Sequence, residues 1–98
     1  MALILGASAA AAQGRAAPLI RRIISVRLLG AGIVVEIDAG SNDGVQRDWK
    51  VRVLRGESRD PLPGGEVEVI RVEKAAVIGK VHLNPDELHA NPRVQLGP

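Results

Sequence analysis

The chain has no cysteine, no phenylalanine, no tyrosine and no threonine, and its only aromatic residue is Trp49. Without cysteine, disulfides, thiolate metal sites and cysteine nucleophiles are excluded. Without threonine, the only hydroxyl nucleophiles are Ser8, Ser25, Ser41 and Ser58. The shortage of aromatics removes the stacking platform on which single-stranded nucleic acid is usually held. It also leaves a core of Val, Ile, Leu and Ala, which suits a small, thin barrel. The Ala-rich run at the start is shorter than the ~20 apolar residues needed to span a bilayer.

What is present fits one small folded domain. Hydrophobic residues make up 46% of 98 residues, well above the range of disordered chains. A chain of this length buries roughly 60–70% of its unfolded surface, so a single core forms without staples. Net charge is +2 and unevenly spread. Residues 1–35 carry Arg15, Arg21, Arg22 and Arg27 and no acid, whereas from Glu36 onward 11 acids face 9 bases. The domain is thus near neutral with a basic N-terminal arm, a feature that can touch nucleic acid or anionic lipid or simply be solvated.

Residues 1–21 form a segment distinct from the expected domain at 22–98. Three readings fit its composition. Ala10-Ala11-Ala12 and the apolar run resemble a secretory signal peptide, though no Lys or Arg precedes the run. The segment could equally be left over from a longer precursor, or form a short Ala-rich helix. Pro18 interrupts whatever precedes it.

Alternation of apolar and polar residues then marks six short strands. Ile24, Val26 and Leu28 define the first, and Gly30-Ala31-Gly32 is a hairpin link. Ile33, Val35 and Ile37 alternate with Val34, Glu36 and Asp38 in the second. Gly40, Asn42, Asp43 and Gly44 supply the residue types of a sharp turn, and Val45 is expected to plug the barrel end. Trp49, Val51 and Val53 define the third strand, with Trp49 as the core plug. Gly56 to Gly65 reads as a mobile surface loop. Glu66 to Val72 is the fourth strand; its phase slips after Val69, which predicts a bulge. Ala75 to Leu83 is the fifth, and Gly79 within it predicts a bend or a close backbone approach. Asn84-Pro85-Asp86-Glu87 carries a helix-start pattern with a reciprocal cap. Asn91-Pro92 ends that single turn, and Val94 and Leu96 form the closing strand. The expected fold is an all-β, six-stranded barrel with one helical turn before the last strand.

The stretch Ile33 to Val53, with its Gly40-Ser41-Asn42-Asp43-Gly44-Val45 turn, resembles the small β-barrel modules of bacterial envelope scaffolds. Examples are the barrels of the MreC cell-shape protein and the C-terminal domain of the flagellar assembly protein FlgT. Gly79-Lys80-Val81 through Asn91-Pro92-Arg93-Val94-Gln95-Leu96 resembles small barrels appended to secreted or injection-system cargo proteins. The pattern departs from the common one at Arg47-Asp48-Trp49, where a small residue is usual. The resemblance implies a non-catalytic binding or assembly module in the cell envelope or a secretion system, in preference to the cytoplasm. It transfers no functional residue, because the matched positions are turn-formers.

Chemistry is sparse. Asp38, Asn42 and Asp43 lack the spacing and distal glutamate of a calcium loop. His82 and His89 have no zinc spacing, and both are expected on the surface. Ser41 is far in sequence from either histidine, and no nucleophile elbow or phosphate loop occurs. No metal, cofactor or catalytic residue is expected. Arg27, Lys50, Arg52 and Arg71 could form a basic stripe, which Glu36, Glu66 and Glu68 would neutralise across strands. The expected interaction face is apolar and basic: Val34, Leu54 and Ile78 in outward phase, with Arg27 and Arg52. It would take a protein partner or a second copy, by surface complementarity or strand addition. The alternative is a nucleic-acid-binding barrel using Arg21, Arg22, Arg27 and Arg52.

Overall fold

A computed structural model describes residues 18–30 and 32–98; the three readings of residues 1–17 lie outside the described residues. Six strands form a closed antiparallel barrel: β1 Leu19–Leu29, β2 Gly32–Ile37, β3 Lys50–Leu54, β4 Pro61–Val72, β5 Val77–Val81 and β6 Arg93–Gly97. A 3-10 turn at Ser41–Asp43 lies between β2 and β3, and one short helix, α1 Pro85–Ala90, lies between β5 and β6. Around the barrel the order is β1-β2-β5-β4-β3-β6. The last four strands are thus a Greek key, with β6 returning beside β3.

The core is aliphatic, as the composition demands. Val35 and Ile37 of β2, Val51 and Val53 of β3, Val77 and Val81 of β5, and Val94 and Leu96 of β6 are all buried. Val45 from the turn and Leu88 from α1 join them. Gly79 lies in β5 because a Cβ there would run into the Val67 side chain and sit 3.1 Å from the Glu68 carbonyl. The absent side chain lets β4 and β5 close up. The phase slip in β4 is a register shift between Val69 and Arg71, the expected bulge.

Helix α1 forms where the cap pattern predicts. The Asn84 side chain accepts from the Glu87 amide at 2.8 Å, and the Glu87 carboxylate accepts from the Asn84 amide at 3.2 Å. Two otherwise orphaned donors are satisfied reciprocally. Asn84→Ala is expected to cost about 1 kcal/mol, read as a lower urea midpoint with an unchanged denaturant slope. Among the described residues no helix is long and apolar enough to cross a membrane.

Four sequence-based expectations need correction. First, β1 starts at Leu19, ahead of residue 22, because Leu19 to Arg22 pair with Leu96 to Arg93 of β6. Second, the Gly56–Gly65 stretch is not one free loop. Only Gly56–Asp60 turn; Pro61 already pairs with Leu54, since proline's fixed φ fits the first residue of a strand. The turn is also tied down. Asn91 Oδ1 accepts from the Gly56 amide at 2.7 Å, and Arg93 donates to the Gly56 and Ser58 carbonyls at 3.2 and 3.3 Å. Third, Trp49 precedes β3 and is half-buried against the core, not its plug. Fourth, Ile24 and Leu28 are exposed despite their apolar phase. A register shift between Ile23 and Ser25 breaks the alternation at Ile24, and the Leu28 end of β1 runs beyond the β6 ladder.

Candidate interaction face

The outer surface of β1, β2, β5 and β4 is organised in two rows by strand register. Ser25 pairs with Glu36, Glu36 with Ile78, and Ile78 with Arg71. Beside that row, Arg27 pairs with Val34, Val34 with Lys80, and Lys80 with Glu68. Because directly opposed residues point to the same face, this surface holds two aliphatic side chains within a frame of both charges.

Arg27, Val34 and Ile78, expected together on the interaction face, do line one groove. They are joined there by Leu29, Glu36 and Arg71, and the groove has a volume of about 380 Å³. Val34 and Ile78 are half-buried in its floor. Arg71 is ion-paired to Glu73 at 2.9 Å. Arg27 is exposed and has no ion pair among the described residues. Leu29, at 57% exposed, stands at the rim. Sequence phase alone missed Leu29, because its exposure follows from its place at the end of the β1–β2 hairpin.

The other two expected members are elsewhere. Leu54 is fully buried, not outward. Between Arg52 and Leu54 the pairing with β4 shifts from Glu66 to Pro61, and this irregularity buries Val53 and Leu54 in succession. Arg52 sits on a different surface, opposite Glu66 and Gln95, in a depression of about 390 Å³ shared with Trp49 and Lys50. A single basic stripe is therefore not assembled. Arg52 faces Glu66 and Lys80 faces Glu68, while Arg27 faces Val34. Arg21 lies 3.7 Å from the Asp43 carboxylate.

The turn residues act on architecture. Asp43 Oδ2 accepts from the Gly40 amide at 3.0 Å, and Gly44 closes the turn with φ of 88°. The Ser41 and Asn42 amides donate to the Glu73 and Lys74 carbonyls at 2.9 and 3.0 Å. The turn is thereby docked on the β4–β5 hairpin. Among the described residues no cluster of three His, Cys, Asp or Glu side chains could hold a metal ion. His82 and His89 are exposed. No protein-family model, no curated protein and no solved structure matches this chain.

Proposed function

We propose that this barrel is a non-catalytic protein-binding or assembly module of a bacterial envelope or secretion-associated system. The observation that carries the reading is the groove over β1, β2, β5 and β4. Val34 and Ile78 supply an aliphatic floor, Leu29 an apolar rim, and Arg27 a cation free of ion pairs among the described residues. Apolar surface framed by charge is the composition of protein contact surfaces. The likeness of the Gly40–Val45 turn to envelope-scaffold barrels supplies the cellular context.

A second reading, single-stranded nucleic-acid binding, is supported by one depression that brings Trp49, Lys50 and Arg52 together. A lone half-buried aromatic with Glu66 beside it is a weak platform for stacking, so the protein-binding reading is preferred. A photo-crosslinking residue in place of Ile78, expressed in the native host, separates the two. The expected result is a discrete protein adduct that disappears with Arg27→Glu. No adduct at Ile78, combined with nucleic-acid binding that weakens steeply with salt, would overturn the protein-binding reading.

A further inference from the structure

Among the described residues two strands outrun a neighbour, β4 beyond Val67 and β1 beyond Arg22, and the β1 overhang carries the more exposed apolar residues, Ile24 and Leu28 against Ile70. β1 pairs with β6 only from Leu19 to Arg22, and the Ile23 amide donates to the Pro92 carbonyl at 2.7 Å. From Ser25 to Leu29, β1 is laddered to β2 alone among the described residues. In an antiparallel ladder every second residue turns its N–H and C=O away from the partner strand. The outer half of β1 thus presents an open edge. Such edges are usually blunted by charge, proline or a bulge. Here the bulge at Ile24 and Arg27 are the only such features, and the edge carries Ile24 at 56% and Leu28 at 71% exposed. A groove of about 310 Å³ runs along the start of this edge, between Ile24–Val26 and the Leu88, His89 and Pro92 side chains.

We propose that this edge pairs with the same edge of a second copy, β1 against β1, antiparallel about a two-fold axis at Val26. Open backbone groups specify an extended strand as occupant, and the side chains specify which strand. A two-fold perpendicular to the sheet must pass through a residue that faces its own copy. Centred on Val26, Ile24 faces the partner's Leu28, Leu28 faces the partner's Ile24, and Arg27 faces the partner's Ser25. Apolar residues meet apolar ones and no like charges oppose. Centred on Arg27, the two guanidinium groups would collide in charge. Centred on Ser25, Arg27 would face Ile23. Of these three registers, the Val26-centred one alone is self-complementary. That register joins two four-stranded β1-β2-β5-β4 sheets into a continuous sheet, through an isologous contact that closes on itself. This contact shares Ser25 and Arg27 with the Ile78 groove, but its apolar pairs, Ile24 with Leu28, lie outside that groove.

The test is the mass of the full chain in solution from low micromolar to near-millimolar concentration, together with amide hydrogen exchange. The expected species is a dimer of twice 10.3 kDa. Its open-edge amides between Ile24 and Leu28 exchange more slowly than in the dilute monomer. Ile24→Lys and Leu28→Lys, each at an exposed position, are expected to abolish the dimer and leave the thermal midpoint of the monomer in place. A monomer at every concentration overturns the proposal. So does a dimer that both lysine variants retain, or one whose edge amides exchange as fast as in the monomer. A monomer that still yields the Ile78 adduct overturns the strand pairing and leaves the groove reading standing.

Discussion

Leu54→Glu is expected to yield a chain that does not fold, whatever its concentration. Leu54 is completely shielded from solvent at the end of β3. Glutamate there forfeits the transfer energy of the leucine and places a carboxylate where no polar partner waits. Leu→Ala at comparable sites costs about 2–5 kcal/mol, and a buried unpaired charge adds several more. The sum rivals the whole stability of a small domain, about 5–15 kcal/mol. Circular dichroism would show loss of the strand signal and of any cooperative melt. Val34→Glu, on the half-buried outer face, is the contrast: it should fold and melt within about 1 kcal/mol of the parent, as surface changes do. A folded Leu54→Glu protein would mean that Leu54 does turn outward, as its alternation with Val53 suggests.

That alternation shows where sequence reading reaches and where it stops. Period-two patterning locates β2, β5 and β6 because none of them carries an irregularity of its own: the shifts in their ladders fall on the partner strands, β1 at Ile24 and β4 at Ile70, so the phase of one residue fixes the rest. Gly79, the slip after Val69, and the Asn84–Glu87 cap were legible for a related reason: each acts within its own strand or turn, or on an adjacent one. Leu54 was not legible. Its burial follows from the jump in its partner from Glu66 to Pro61, and that jump depends on how Pro61–Gly65 sits in β4. Ile24 and Leu28 failed in the same way, since the shift in register against β2 decides the first and the end of the β6 ladder the second. Of the expected face, Arg27, Val34 and Ile78 converge because β1, β2 and β5 are consecutive around the barrel. Arg52 does not join them, because β3 enters on the far side. Charge followed the same logic: Glu66 beside Arg52 was readable as a cross-strand pair, but the Arg21–Asp43 approach, which spans a strand and a turn, was not.

Gly40→Ala should be the most damaging single-methyl change in the turn. Gly40 has φ of −160°, an extended backbone that any residue adopts, so its requirement is for space. A Cβ at that position would overlap the Glu73 and Lys74 carbonyl groups, which are backbone and cannot swing aside. To admit it, the Ser41–Asp43 turn must lift from the β4–β5 hairpin and release the bonds from the Ser41 and Asn42 amides. Two hydrogen bonds at about 1 kcal/mol each, with about 1–3 kcal/mol for overpacking, give an expected loss of about 3–5 kcal/mol. The flanking core residues Ala39 and Val45 are buried, so movement of the turn would also disturb the barrel end. Gly44→Ala is the matched control. Its Cβ would meet nothing within 4 Å, but its φ is 88°, and a left-handed alanine costs about 1–2 kcal/mol. Denaturant midpoints should therefore fall further for Gly40→Ala than for Gly44→Ala. The reverse order would show that the turn is held by its own backbone conformation, and that the contact with the hairpin contributes little.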